Sequence, residues 1–274
     1  MELFERFPAR FPPAFAHAWG DDVYGLWSEF VVGSVTQRLR WIEPGTFMMG
    51  SPKKEIDHQD DEGPQHRVTL TEGYWLADSA CTQALWAAVM GSNPSHFKSD
   101  LQFPVEKVSW NDVQEFLRKL EQLVPGLQAR LPTEAQWEYA CRAGTRTPFS
   151  FGEQISPEQV NYNGNFPYGK GEKGLYRGQT VPVKSLPPNK WGLYEMHGNV
   201  WEWCAGEVGK YRVESQCDPG GSVSNDKTAP RAVRGGSWLS IAWSARSACR
   251  SANPPGLAAR FLGFRWSLKS IEPG

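Results

Sequence analysis

The residues in this chain best suited to chemistry are its five cysteines and five histidines. Thiolates and imidazoles bind metals and act as nucleophiles or bases, but metal centres need them at ligand spacing. Cys81, Cys141, Cys204, Cys217 and Cys249 are odd in number and contain no CxxC pair. They read as buried free thiols, because an unrecruited cysteine behaves as a small hydrophobe. His17, His58, His66, His96 and His197 show neither HxxxH nor HxH spacing, so no metal centre is legible in them. The densest motifs are instead rich in Gly and Trp. They are Trp191-Gly192-Leu193-Tyr194-Glu195-Met196, Gly198-Asn199-Val200-Trp201-Glu202-Trp203 and Arg234-Gly235-Gly236-Ser237-Trp238. Glycine lets backbone pass close to a neighbour and tryptophan pins loops, which is scaffold work.

The elements that must carry these motifs are short. Thirteen Trp among 27 Gly and 21 Pro argue against a helical bundle and against a long parallel sheet. Residues 40–42 and 46–49 read as strands about the turn Pro44-Gly45, followed by a polar, acidic surface loop over 53–64 and strands over 66–70 and 73–77. Three helices are expected, over 82–90, 111–123 and 134–142. Val113, Phe116, Leu117 and Leu120 give the second an apolar stripe, and Thr133 with Gln136 gives the third a capping box. Beyond Gly144 the helical periodicity ends. Short strands are expected at 182–183, 192–195, 232–234, 244–250 and 264–267. This order is α+β, not alternating βαβ. Residues 1–36 read as a separate lead, with Phe4, Phe7, Phe11 and Phe15 interrupted by Pro8, Pro12 and Pro13. The lead is expected to cross the domain, which spans 37–274, or to dock a partner.

A net charge of -1 provides no basic field for nucleic acid or anionic lipid. The first twenty residues lack an apolar secretory core, and no apolar run is long enough for membrane insertion. A cytoplasmic protein is expected.

Taken in order, Phe47-Met48-Met49-Gly50, Val108-Ser109-Trp110, the run Arg130 to Ala140, the three motifs above and Gly263-Phe264-Arg265 resemble the formylglycine-generating enzyme (sulfatase-modifying factor) family over about residues 38–268. The resemblance implies the α+β C-type-lectin-like fold of that family. It also implies a copper oxidase only if two cysteines, spaced about five residues apart, follow the GGSW motif, since thiolates are what Cu(I) requires. Here Ser240 stands at the first place and no second cysteine follows at that spacing. No copper is therefore expected, and the chain is expected not to be an enzyme. The family further implies two calcium sites. One would use Asn161, Tyr162 and a carboxylate that is Lys173 here; the other would use Glu195, Glu202 and carbonyls at Gly198 and Val200, oxygens suited to a hard cation.

One branch of the family serves diversity-generating retroelements, which rewrite the segment from GGSW to GFR by mutating template adenines. Asn codons AAC then become any NNC, a set that excludes Trp, Met, Gln, Lys and Glu. Leu239, Ser240, Ile241, Ser244, Cys249, Ser251, Asn253, Leu257, Ala259 and Phe261 all belong to the reachable set. They fall between frame residues Trp238, Trp243, Arg246-Ser247-Ala248, Arg250 and Gly263-Phe264-Arg265. The resemblance thus implies a non-catalytic protein whose C-terminal face, about 239–262, binds a protein or surface ligand. The alternatives are an oxidase of the formylglycine-generating type or another metal, and a regulatory or scaffolding subunit docked through residues 1–36.

Overall fold

The computed structural model describes residues 5–220 and 226–269. Along β2 (Gly25–Val32) the buried side chains are Ser28, Phe30 and Val32, a period of two that marks a half-buried strand. It sits between β1 (Ala18–Asp22) and β3 (Val35–Ile42) in an antiparallel meander. The remaining strands are β4 (Gly45–Met49), β5 (His66–Leu70), β6 (Tyr74–Ala77), β7 (Ala129–Arg130), β8 (Trp201–Glu207), β9 (Gln216–Cys217), β10 (Arg231–Arg234), β11 (Arg250–Asn253), β12 (Leu262–Gly263) and β13 (Ser267–Lys269). They form three sheets, ordered β1-β2-β3-β6-β13-β7, β11-β10-β8-β12 and β4-β5-β9.

The three expected helices are present: α1 (Gln83–Met90), α2 (Trp110–Leu123) and α3 (Glu134–Arg142). Ser109 with Asp112 and Thr133 with Gln136 form reciprocal capping boxes that satisfy first-turn amides. Every residue of α3 from Ala135 to Arg142 is buried, so this helix lies inside the molecule. Trp86 of α1 stacks on Phe116 of α2 at 5.1 Å, and Phe264 meets both rings edge-on. The architecture is α+β and C-type-lectin-like.

The separate lead is corrected by the main sheet. The boundary at residue 37 falls inside the β2–β3 hairpin, whose register runs from Trp27↔Arg40 to Val32↔Val35. Phe30 packs against Trp266, Phe15 against Phe30, and Phe11 stacks on Trp75. Trp41 Nε1 donates to the Arg6 carbonyl at 2.7 Å. Phe4 lies outside the described residues. The prolines do break a helix here, but Phe11 and Phe15 pack on the sheet instead.

The second half also departs from expectation. Residues 182–183 and 192–195 are not strands. Residues Ala242–Ala245 form a 3-10 turn, and strand geometry begins only at Arg250. The Gly198–Trp203 motif, whose tryptophans are expected to pin a loop, instead runs into strand β8, which lies inside its sheet.

Candidate functional site

Residues 227–269 contain no Asp or Glu, yet they include the buried arginines Arg231, Arg234, Arg246, Arg250 and Arg265. A buried charge needs a partner, so carboxylates come from elsewhere in the chain. Arg246 receives Glu62 bidentately at 2.6 and 2.7 Å, Glu55 at 2.7 Å and the Asp57 carbonyl at 2.7 Å. Arg265 is bidentate to Glu202, at 2.7 and 2.9 Å. Arg250 clasps Glu134 and lies 4.1 Å from the Tyr211 ring centroid. Arg234 pairs with Glu138 and donates to the carbonyls of Ser247 and Cys249. These pairs fix the C-terminal segment to the loop around residues 55–62, to α3 and to β8. The loop over 53–64 is therefore not all surface: Glu62 is fully buried.

On this frame, nine of the ten expected face positions reach solvent. Leu239 and Leu257 are exposed; Ser240, Ile241, Ser244, Ser251, Asn253, Ala259 and Phe261 are half-buried. Trp238, Arg246, Ser247, Ala248, Arg250, Gly263, Phe264 and Arg265 are buried, while Trp243 is half-buried. Cys249 is the correction. It is buried because its own carbonyl is drawn inward by Arg234 Nη1 at 2.8 Å, and burial pushes its thiol up to about 12. The surface is also wider than expected, since Ala252, Pro254, Gly256, Ala258 and Arg260 are exposed between the named positions.

The face has two parts. Residues 239–244 form a loop held to a neighbouring hairpin: Asn163 N donates to the Ser240 carbonyl at 2.8 Å, and Ala242 N to that of Phe166 at 3.1 Å. The Ser240 hydroxyl accepts from Ser237 N at 3.0 Å. Residues 251–261 run from the β11 edge past α2, where Asn111 N donates to Pro255 and Lys107 N to Ala259. Trp238 joins the parts. Its ring stacks on Tyr176 and meets Phe97 edge-on, and its Nε1 donates to the Arg260 carbonyl at 3.1 Å. The hairpin over residues 163–176 was not anticipated, because its Gly- and Asn-rich text has no strand or helix period.

Under the 239–244 loop lies a buried His/Ser/Cys group. Ser150 N donates to His197 Nε2 at 3.0 Å, so the ring proton sits on Nδ1 and is donated to the Ala245 carbonyl at 2.7 Å. The Cys141 sulfur is 3.7 Å from Nε2. This resembles a nucleophile–base pair, but both side chains are buried, and burial pushes the Cys141 thiol up to about 12. Burial also lowers His197 to about 4. A histidine depressed when folded contributes stability that is fully present above its unfolded value near 6.5 and is lost as pH falls towards the folded value. Urea denaturation is expected to show a loss on the order of 3 kcal/mol between those limits. His197→Gln should remove that slope; an unchanged slope would assign it to other groups.

The anticipated calcium ligands do not converge as a free acidic cage. Glu202 accepts from Arg265 and from Trp137 Nε1 at 2.7 Å, so the cation it serves is a guanidinium. Glu195 accepts from the Lys184 and Leu186 amides at 3.1 and 3.3 Å, and burial pushes its carboxyl up to about 7. Gly198 lies at φ 77°, where a Cβ would sit 2.3 Å from the Asn161 carbonyl oxygen, and Val200 is buried beside it. At the other family position, Lys173 is exposed whereas Asn161 and Tyr162 are buried. Glu195 and Glu202 are thus committed to protein donors, whereas Asn161 Oδ1 is buried without a hydrogen-bond partner. Among the described residues, no three His, Cys, Asp or Glu side chains cluster as a metal site.

Comparison with known proteins agrees with this architecture. The profile of the sulfatase-modifying factor enzyme 1-like domain matches residues 30–269. The formylglycine-generating enzyme of Mus musculus is 31% identical over 82% of this chain and 73% of its own length. The inactive C-alpha-formylglycine-generating enzyme 2 of Bos taurus is 34% identical over 73% of this chain and 60% of its own. Among solved structures, Treponema denticola variable protein 1 superposes with a TM-score of 0.74 at 27% identity, covering 89% of this chain and 99% of that one. With those motifs and these matches, the chain belongs to the sulfatase-modifying factor (formylglycine-generating enzyme) family and is similar in structure to a variable protein of Treponema denticola.

Proposed function

We propose that this protein is a non-catalytic ligand-binding member of its family, and that its C-terminal segment is a diversified binding surface. One observation carries the reading: nine of the ten candidate variable positions meet solvent, while all but Trp243 of the frame residues among them are buried. A rigid frame with accessible side chains between its pegs is how binding residues are displayed on a scaffold. Likeness to a variable protein and to a relative named inactive supports it.

Catalysis of the family's oxidative type is poorly served by these residues. Ser240 offers a hydroxyl, a poor ligand for Cu(I), and the buried Cys249 thiol stays protonated. Incubating the protein with Cu(I), oxygen and a cysteine-containing peptide is expected to give no formylglycine by mass spectrometry. Product formed at one per active protein or more would make the chain an oxidase. Diversification is tested by sequencing the 3′ end of the gene and its flanks across isolates. Substitutions concentrated in codons 239–262, at adenines of a nearby imperfect repeat, are expected. An invariant segment with no repeat would leave an ordinary, undiversified family member.

A further inference from the structure

The solvent-facing part of the 239–244 loop does not stand alone. Phe166 and Leu175 are 55% and 58% exposed, more than Leu239 at 41%. All three belong to one tightly tied unit. In the hairpin of residues 163–176 the Gly174 amide donates to Gly164 at 2.8 Å, and Asn163 bridges Tyr176. A Cβ on Gly164 would fall 2.5 Å from the Leu175 carbonyl oxygen, so glycine is what lets the two arms approach. The hairpin is fastened to the loop through Ser240 and Phe166, and its far arm stacks Tyr176 on Trp238. At the other end, the Tyr168 hydroxyl donates to the carbonyl of Ile56, itself 55% exposed. Large apolar side chains grouped on a hydrogen-bonded support mark interaction surfaces.

Away from Ile56, beside which Asp57 is exposed, the charges about this group are mostly positive. Buried arginines of the C-terminal segment have carboxylates from other elements, but exposed Arg260 has none among the described residues; its guanidinium lies 5.4 Å over Trp238. Lys170 and Lys173 on the hairpin are also exposed and make no ion pair among the described residues. Glu172 is the hairpin's one carboxylate. Three exposed cations without an ion pair among the described residues are too few for a nucleic-acid or lipid footprint on a chain of net charge -1, but they suit a protein rim.

Resting on the binding reading above, we infer that the 163–176 hairpin is the fixed half of the binding face, and that this face takes a protein partner whose apolar contact residues are edged by carboxylates. Variable positions would then tune a contact that Phe166 and Leu175 make in every version.

The test pans the full-length protein at low salt against a displayed library of random short peptides, then measures a synthetic copy of the most enriched sequence. Recovered peptides are expected to place Asp or Glu beside Leu, Phe or Trp. Phe166→Asp and Leu175→Asp should each weaken binding by about tenfold or more. Arg260→Glu should weaken it by about threefold at low salt and scarcely at high salt. Val23→Asp, in the exposed β1–β2 turn, should change nothing, and all variants should melt like the parent. Peptides without carboxylates, a library with no enrichment, or binding only to phosphatidylserine vesicles would overturn the inference. If Leu239→Asp and Ile241→Asp abolish binding while Phe166→Asp and Leu175→Asp leave it intact, the hairpin inference fails and the C-terminal binding face stands. If none of the four matters, both fail.

Discussion

Glu138→Ala is expected to cost about 3–5 kcal/mol, much of the total stability of a domain that is stable by only about 5–15 kcal/mol. Glu138 sits on α3 with no solvent exposure. One carboxylate oxygen accepts from Gly50 N at 2.8 Å and Arg142 Nε at 2.8 Å; the other pairs with Arg234. Arg142 in turn holds the Gly50 carbonyl, and Arg234 holds those of Ser247 and Cys249. One side chain therefore ties the end of β4, α3, β10 and the C-terminal segment together. Truncating it takes buried Arg142's ion-pair partner away and leaves buried Arg234 with Glu134 alone, at 3.0 Å, the costly way to break such a network. Glu138→Gln, which keeps shape but loses charge, should fall between. Burial alone would raise the Glu138 carboxyl, but Arg142 and Arg234 outweigh it and hold it below the usual carboxylate range. A depressed carboxylate contributes stability that is present above its unfolded value and lost as pH falls through the folded one. The parent should therefore keep this contribution at pH 5 and lose it in stronger acid, while Glu138→Ala has none to lose. Urea unfolding followed by circular dichroism reads both effects. Exposed Glu115, paired with Arg118 on the surface of α2, is the control, and Glu115→Ala should leave the midpoint unchanged. A Glu138→Ala midpoint equal to that control would show that the arginines find other partners.

The same network marks where sequence reading stops. The T-x-x-Q box at Thr133 and Gln136 was legible because capping is local: donor and acceptor are three residues apart. The stripe on α2 was legible for the same reason. Four of the five cysteines are buried, and no disulfide links any of them. Arg246 could be placed in the frame of its segment, but its partners, Glu55 and Glu62, lie in a stretch that composition assigns to solvent. Nothing local says that an acidic loop will fold inward to meet an arginine nearly two hundred residues away. The same holds for Glu202. The family resemblance groups it with Glu195 as a cation ligand, and no local signal announces that Arg265 brings a guanidinium to it. Cys249 falls between exposed positions in sequence, yet turns inward because Arg234 binds its carbonyl. Local signals set caps, turns and helix faces, while long-range ion pairs decide which C-terminal side chains remain on the surface.

A chain beginning at residue 37 should fail to give a soluble, cooperatively folding domain, although composition makes that a natural place to cut. The family profile begins at residue 30, part-way through β2, so the first strands lie largely outside the shared domain. Physically they are inside it. Phe30 and Val32 are buried in the main core, and burying side chains of this kind contributes about 1.5–3 kcal/mol each. Arg40 is buried and bidentate to Asp22 of β1, at 2.6 and 2.9 Å, so the cut removes its carboxylate. It also bares β3, turning an interior strand into an unpaired edge that invites aggregation. These losses together rival the whole stability of a domain. A chain beginning at residue 17 should behave differently. It loses the stacking of Phe11 on Trp75 and the contact of Phe15 with Phe30, but keeps the three-stranded meander. It is expected to stay soluble and melt cooperatively at a lower temperature. Soluble yield, gel filtration and near-ultraviolet circular dichroism of the two chains distinguish the cases. If the chain from residue 37 is monomeric and melts like the full-length protein, β1 and β2 are accessory, and residues 1–36 become free to serve as a docking segment. If only the longer chain folds, the sheet needs these strands, and a partner-binding test by truncation must leave them in place.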